Sequence, residues 1–203
     1  MKLRTLRYSV AVAVVLVGFG AAVAHGEPAD SPKAFVESLA QRVVHALNDR
    51  ELSEQGRLLK FRTLFEEGLA LPAIGRFVLG RYWRRATRDE RKTYQSLFED
   101  YVVAIYASRL GRYQGETVRV VGTRKDGGHD TVVSTEILSE GKPTTRVDWR
   151  VRRTPGRYKI LDVVVEGISM AITQRSEFAA VIQQNGGRLD GLLSQLRAKA
   201  SKN

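Results

Sequence analysis

Few side chains in this sequence have the type and spacing that catalysis requires. The chain contains no cysteine, so a thiolate nucleophile and disulfide cross-links are both excluded. Its histidines, His25, His45 and His129, are too widely separated for the short ligand spacing of a zinc-binding helix, and no G-x-S-x-G element occurs. The sequence therefore predicts no metal centre, no catalytic nucleophile and no enzyme activity.

Asp162 is the one carboxylate whose surroundings could tune it for acid–base chemistry. It lies within Tyr158–Val165 (YKILDVVV), the most apolar strand-like segment of the chain, and a buried charge needs a partner. The favoured interpretation is an ion pair with an arginine on a neighbouring strand, such as Arg146 or Arg150. The alternative is a general base inside a cone-shaped sheet, with Tyr158 as the acid.

Residues 1–24 predict export from the cytoplasm. A basic amino-terminal segment precedes an apolar run over Val10–Val23, and Ala22-Val23-Ala24 is a small-x-small cleavage site, as in a secretory signal peptide. The run is shorter than the roughly 20 residues of a membrane span, so an uncleaved anchor is the less favoured alternative. We expect residues 25–203 to form a single domain that works outside the cytoplasm.

The chain is strongly basic. Lys and Arg number 33 against 22 Asp and Glu, which gives a formal net charge of +11. For an exported protein this balance indicates anionic membrane surfaces or acidic partner proteins rather than nucleic acid, with solubility as the simpler explanation. At 43% hydrophobic residues, the chain has enough apolar material for a core without disulfides.

Hydrophobic periodicity predicts a helical part over about 31–113. Ser31-Pro32 is an N-cap followed by proline at the first helical position, and Thr87–Glu90 is a capping box. Together these patterns predict four helices, which start at Ser31-Pro32, span Gln55–Gly68, span Pro72–Leu79, and run from Thr87 to a stop at Gly111.

The hydrophobic period changes to two over about 116–166, which predicts a sheet. Val147, Trp149 and Val151 alternate with charged residues, as in a strand with one buried face. Turn sequences between successive strands favour an antiparallel meander. Because Tyr158–Val165 is apolar on both faces apart from Lys159 and Asp162, we expect it to be a central strand.

Helices over about 170–199 complete an α+β fold, in which helices pack on a curved antiparallel sheet. Aromatic residues recur on the inward stripes of the predicted helices, more often than so small a sheet requires. Each aromatic residue alone is best explained as ordinary core. The whole set, in an exported chain without cysteine, favours an apolar cavity.

Several motifs resemble those of one protein family in their order and spacing. Phe77–Thr87 (FVLGRYWRRAT) is similar to an LG-x-x-(W/Y)-(R/K)-x-A-T element, and Tyr158–Val163 to W-K-I-x-D-V. Glu166–Met170 resembles E-G-(V/I)-S, Arg175–Phe178 resembles R-x-x-F, and Gly187–Leu196 resembles the closing G-x-x-x-L-x-x-x-L. The set resembles the MlaC family, the Mla-type or toluene-tolerance phospholipid carriers of the Gram-negative periplasm.

The resemblance implies an NTF2-like curved antiparallel sheet with an α-helical subdomain that forms an apolar cavity. It further implies a soluble periplasmic shuttle of an Mla-type ABC transport system, which carries phospholipid between the outer and inner membranes and maintains outer-membrane lipid asymmetry. The expected partners are an inner-membrane ABC transporter complex and an outer-membrane lipoprotein complex, with transient contact to membrane surfaces. Phospholipid is the expected cargo, and no cofactor is expected.

Three alternatives stay open beside the phospholipid shuttle. The chain could be a relative of the same family that binds hopanoid or another lipid. It could be an NTF2-like enzyme that uses Asp162. It could also be an adaptor without a cavity that binds membrane surfaces through its basic charge.

Two sets of residues are candidates for the lipid site and for the docking of partners. The apolar set is predicted to line a cavity between the sheet and the amino-terminal helices, and consists of Phe65, Leu71, Ile74, Val78, Phe98, Val102, Ile105, Trp149, Val151, Ile160, Val164 and Ile168. Cations near the start of a helix oppose the helix dipole, so the basic set is predicted to bind partners or anionic head groups. It consists of Arg81, Arg84, Arg85 and Arg88, with a solvated basic face as the alternative.

Overall fold

Seven α-helices and five β-strands form the part of the chain that the computed structural model describes, residues 30–49, 51–110, 116–139 and 141–200. The predicted signal peptide and the predicted helix stop at Gly111 lie outside the described residues. The helices are α1 (Pro32–Asn48), α2 (Glu54–Gly68), α3 (Leu71–Leu79), α4 (Arg81–Arg85), α5 (Arg88–Leu110), α6 (Met170–Gln184) and α7 (Asp190–Ala200). The strands are β1 (Thr117–Asp126), β2 (Asp130–Leu138), β3 (Thr145–Thr154), β4 (Arg157–Val165) and β5 (Ile168–Ser169).

The helix starts follow the capping signals in the sequence. The Ser31 hydroxyl accepts a hydrogen bond from the Ala34 amide at 3.1 Å, directly before α1. Thr87 and Glu90 form a reciprocal capping box before α5, with distances of 2.7 and 3.2 Å. The short elements α4 and β5 were not predicted, because five residues and two residues are too few to show a hydrophobic period.

The five strands form one sheet in the order β1-β2-β3-β4-β5, and each neighbouring pair is antiparallel. The predicted meander is therefore confirmed, but β4 is the fourth strand rather than a central one. Its outer edge is still covered, at one end by β5 and at the other by a parallel bridge between Leu69 and Ile160. The Ala70 amide donates to the Ile160 carbonyl at 2.9 Å, so the α2–α3 connection closes this edge.

The buried apolar side chains form three separate clusters. The helical cluster contains side chains from all five helices from α3 through α7, packed around aromatic rings. Among these rings, Phe178 packs edge-on against Tyr94 and Phe98. A second cluster packs α1 against one face of the sheet, the inner face, through Val36, Val133, Val151 and Ile160. The third lies further along the same face and consists of Ile137, Val147 and Val165. The helical layer and the sheet thus have distinct cores.

The opposite, outer face of the sheet is polar and contains one buried carboxylate. The Asp130 side chain is only 2% exposed, and it accepts hydrogen bonds from Arg150 at 2.8 Å and from Arg152 at 2.6 Å. The hydrogen bond from Arg152 is the largest influence on this carboxyl, and together the two guanidinium groups lower the pKa of Asp130. Folding therefore favours the ionised form of Asp130.

We expect Asp130→Asn to lower the free energy of unfolding by about 1–2 kcal/mol at neutral pH, since both arginine partners are half-exposed. Because the pKa is lowered on folding, this stabilisation is fully present above the ordinary carboxyl pKa and is lost as the pH falls through the lowered value. Denaturant unfolding from pH 7 to pH 2 should show the two proteins converging at the acid end. A difference that stays constant with pH would contradict the assignment.

Candidate functional site

Partly buried apolar side chains border both the helical cluster and the sheet. Val102 and Ile105 on α5 lie at the edge of the helical cluster. On the sheet, Trp149 and Val163 pack at the edges of both the second and the third cluster. Met170 packs at the edge of the third cluster only. These residues are neither fully buried nor fully exposed, so partly exposed apolar surface remains at the edges of both the helical cluster and the sheet clusters.

The polar atom of Trp149 is satisfied within the sheet. Its indole N–H donates to the Thr135 hydroxyl at 2.9 Å, and that hydroxyl donates to the Val147 carbonyl at 2.9 Å. Thr135 itself is fully buried. The indole ring therefore presents only apolar surface on the inner face, which is the property that contact with a hydrocarbon requires.

The predicted lining residues fall into three groups. Five are fully packed, with at most 2% of their surface exposed, namely Leu71, Val78, Phe98, Val151 and Ile160. Five are partly buried, namely Phe65, Ile74, Val102, Ile105 and Trp149. The remaining two lie elsewhere: Val164 is paired with Asp148, on the outer face, and Ile168 is 44% exposed in β5.

The structure thus brings together only part of the predicted set. Phe98 is only 1% exposed, so it has packed neighbours on every side and borders no sizeable void. The sequence could not separate packed from partly exposed positions, because both recur on the same inward stripes. Val164 was misplaced because the register of β3 and β4 shifts between Arg150 and Val151.

Asp162 anchors α6 and is not paired with Arg146 or Arg150. Its Oδ1 accepts hydrogen bonds from the Val163 amide at 2.9 Å and the Ala171 amide at 3.0 Å. Its Oδ2 accepts from the Ser169 hydroxyl at 2.5 Å. The predicted arginine pairing is therefore wrong, because the partner that offsets the charge is the amino-terminal end of a helix.

The turn that precedes α6 holds this arrangement in place. Glu166 and Gly167 have positive φ angles of 48° and 79°. The Glu166 carboxylate accepts from the Arg146 amide at 2.5 Å, and the Glu166 amide donates to the Arg146 carbonyl at 3.0 Å. Ser169 then caps α6 by accepting from the Ile172 amide at 3.1 Å. The E-G-I-S motif is thus a connector between the sheet and the helical layer.

The predicted arginine cluster is exposed and only partly used by the fold. Within the set, Arg81 donates to the Tyr82 hydroxyl at 3.0 Å. Beside it, the partly buried Arg91 on α5 donates to the carbonyls of Trp83 and Arg84 at 2.8 and 3.3 Å, so it stabilises the junction of α4 and α5. Among the described residues, no carboxylate forms a salt bridge with the four predicted docking arginines, Arg81, Arg84, Arg85 and Arg88.

Two adjoining surface grooves open beside this cluster. Their volumes are about 440 and 470 Å³, and both are lined by Phe77, Gly80, Arg81 and Arg175. Arg84 lines the first groove, whereas Arg85 and Arg88 line neither. The contribution of Arg175 was missed, because α6 is distant in sequence, although Arg175 belongs to the R-x-x-F motif.

The described residues give no sign of a metal centre or of a transmembrane helix. No group of three or more His, Cys, Asp or Glu side chains among them is arranged to hold a metal ion. Within the same residues, no helix combines the length and the apolar character needed to cross a bilayer.

Comparison with known proteins relates the chain to one family. A family model described as MlaC protein matches residues 37–198. The toluene tolerance protein ttg2D of Pseudomonas putida is 24% identical over 122 residues, 60% of this chain and 57% of that protein. The intermembrane phospholipid transport system binding protein MlaC of Haemophilus influenzae is 20% identical over 136 residues, 65% of this chain and 63% of that protein. The match thus spans less than two thirds of each curated relative.

A solved structure has the same fold. It is that of a phospholipid-binding protein from Ralstonia solanacearum in complex with a phospholipid. The TM-score is 0.72 at 23% sequence identity, and the match covers 84% of this chain and 97% of that chain. The predicted α+β fold, with a curved antiparallel sheet and a helical layer, is confirmed.

We expect Asp162→Asn to lower the free energy of unfolding by about 1–2 kcal/mol, because the variant removes the negative charge from the start of α6. Glu37→Gln is the control, since Glu37 is an exposed carboxylate whose nearest cation is 3.9 Å away, and its effect should be below about 0.5 kcal/mol. Chemical denaturation measures both. An Asp162→Asn protein as stable as the parent would show that Asp162 does not anchor α6.

Proposed function

The chain belongs to the MlaC family, and from this premise we propose that it is a periplasmic phospholipid carrier. It shuttles lipid between the outer and inner membranes as part of an Mla-type transport system. Support comes from the two relatives, whose names state toluene tolerance and intermembrane phospholipid transport, and from the phospholipid bound by the protein of shared fold.

The observation that carries this proposal is that partly buried apolar side chains lie at the edges of the helical cluster and of the sheet clusters. Val102 and Ile105 pack at the edge of the helical cluster, and Trp149 and Val163 pack at the edges of the sheet clusters. We propose that the acyl chains lie between these side chains. Packed residues such as Val78 and Ile160 then support the walls from behind rather than touching the lipid.

The energetic requirement on such a carrier is severe. At ~0.8 kcal/mol per methylene, an acyl chain of about sixteen carbons left in water costs on the order of 12 kcal/mol. The carrier must therefore cover the chains along their whole length. Two half-buried apolar walls can do this without opening the protein, because the packed clusters behind them keep the layers folded.

The hydrogen bonds of Asp162 and the packing of Tyr158 do not support the competing enzyme hypothesis. Both Asp162 oxygens accept hydrogen bonds from the turn and from the start of α6. Tyr158, the proposed acid, packs against Phe35 at 6.0 Å between ring centroids and lies beneath Arg153. We propose that neither residue is catalytic and that the protein transfers lipid without chemical change.

Export through the predicted signal peptide accounts for the periplasmic location that we propose. The expected partners are an inner-membrane ABC transporter complex and an outer-membrane lipoprotein complex, which deliver and receive the lipid. A family member that binds hopanoid instead of phospholipid remains the second candidate, because apolar walls such as Trp149 would suit either hydrocarbon.

The cargo hypothesis predicts that protein exported to a bacterial periplasm carries about one phospholipid per chain. Val102→Gln combined with Ile105→Gln should lower this occupancy roughly tenfold, since each places an amide against the acyl chains. Leu59→Gln is the control, because Leu59 is 59% exposed on α2 and packs against none of the three apolar clusters. Lipid extraction with mass spectrometry measures the occupancy.

Two outcomes would contradict the cargo hypothesis. Wild-type protein recovered without any lipid would remove the carrier function. Equal occupancy in the double variant and the control, with circular dichroism unchanged, would place the lipid elsewhere. Hopanoid in place of phospholipid would favour the second candidate.

The docking hypothesis predicts that reversing Arg84, Arg85 and Arg88 to glutamate slows lipid transfer between donor and acceptor membranes that carry the transport complexes. These arginines form no salt bridges within the described residues, so the folded protein and its lipid occupancy should be unchanged. The loss should shrink as salt rises, because screening weakens steering. Transfer rates equal to the parent at low ionic strength would contradict the hypothesis.

A further inference from the structure

The two adjoining grooves form one continuous surface between α3, α4 and α6, called here the α3–α6 surface. The centre of this surface is formed by the residues that line both grooves, Phe77, Gly80, Arg81 and Arg175. The carrier function proposed above does not use this surface for cargo, because none of the predicted lining residues of the lipid cavity contributes to it.

Arg175 is held in position without a salt bridge to any carboxylate of the described residues. Its guanidinium carbon lies 5.1 Å from the centre of the Phe77 ring. Gly80 has a φ of +58°, and a Cβ at that position would lie 2.9 Å from the Arg175 Nε. Because residue 80 is a glycine, both the backbone turn and the Arg175 side chain fit at this position. Arg175 is thereby already ordered, so it loses less conformational entropy when it binds an anion.

The charges of this surface are all of one sign. Four arginines line the two grooves, Arg76, Arg81, Arg84 and Arg175, and no acidic residue does. None of the four forms a salt bridge with a carboxylate in the described part of the chain. By contrast, arginines on the sheet, such as Arg119 and Arg152, are paired at 2.6 Å. The α3–α6 surface thus has positive charge available for an external anion.

Large apolar side chains project beside these arginines. Phe77 is 44% exposed and Ile172 is 58% exposed, and both line the second groove. Exposing such side chains to water is unfavourable. Arginines around projecting aromatic and branched aliphatic side chains are the composition expected at the boundary between lipid head groups and acyl chains.

We propose that the α3–α6 surface docks the protein on a bilayer that contains anionic phospholipids. The guanidinium groups bind head-group phosphates, for which their planar donor pairs are suited. Phe77 and Ile172 enter the region just below the phosphates. An acidic protein would satisfy the arginines equally, but the projecting apolar side chains favour the bilayer, and the protein partner is left as an outcome of the test.

This docking would serve the proposed carrier function, and its purpose rests on that function. The geometry of the surface does not depend on it. A contact made by a few arginines and two apolar side chains is weak and reversible. It would keep the carrier near a membrane while allowing it to leave. Vesicle association alone measures it, so a failure of docking and a failure of cargo binding can be told apart.

Flotation with phosphatidylcholine vesicles, with and without about one third phosphatidylglycerol, tests the proposal at low ionic strength. The wild-type protein should bind the anionic vesicles and be released by salt. Arg76→Glu with Arg84→Glu should lower the partition coefficient at least ~25-fold, since each basic side chain contributes roughly fivefold. The control, Arg124→Glu with Lys125→Glu at the end of β1, makes the same change in net charge away from the surface and should lower it less than about threefold.

One variant and one control test the apolar part of the surface. Ile172→Gln should lower the partition coefficient roughly fivefold, whereas Leu59→Gln, at a similarly exposed position on α2, should leave it unchanged. If the wild-type protein does not bind anionic vesicles at low salt, the proposal is overturned, and an acidic protein becomes the partner that fits this surface. Equal losses in the two double variants would also overturn it, because binding would then follow net charge alone.

Discussion

The structure depends on the attachment of α6 to β4. Asp162, inside the sheet, accepts hydrogen bonds from the Ala171 amide and the Ser169 hydroxyl, so a single carboxylate fixes the start of the helix against the strand. Phe178, two turns further along α6, then packs among the rings of Tyr94 and Phe98. The aromatic core of the helical layer is therefore held to the sheet in part through polar contacts at this turn, beside the α2–α3 connection, whose Ala70 amide donates to the Ile160 carbonyl.

The carrier function that we propose requires this division of roles. If the two layers shared one continuous apolar core, a lipid would have to displace packed side chains, at the cost of their dispersion and burial energy. Instead, the helical cluster and the sheet clusters are complete in themselves. Partly buried residues, Trp149 foremost, remain at the boundary with their polar atoms already satisfied. Cargo can then add apolar contacts without the protein having to break any.

Local signals in the sequence predicted the elements well, because capping boxes, turn glycines and two hydrophobic periods depend on neighbouring residues only. The capping box of Thr87 and the proline start of α1 are examples. The partner of Asp162 could not be predicted in the same way. Its ligands come from a turn that reverses the chain through the positive φ of Glu166, and no propensity indicates which charge such a turn will bind. Likewise, the register shift in β3 and β4 decided the face on which Val164 lies.

The cover on the outer edge of β4 has a consequence for the behaviour of the protein at high concentration. With β5 and Leu69 in place there, β1 is the exposed edge of the described sheet. An uncovered edge is a template for strand addition between molecules. β1 carries Arg119, Arg124 and Lys125, and its pairing with β2 is irregular after Val120, so a second copy that approaches this edge meets charged side chains on an interrupted strand. Such an edge disfavours self-association into continuous sheets, so a protein with the partly exposed apolar side chains that the proposed lipid site requires can stay dispersed.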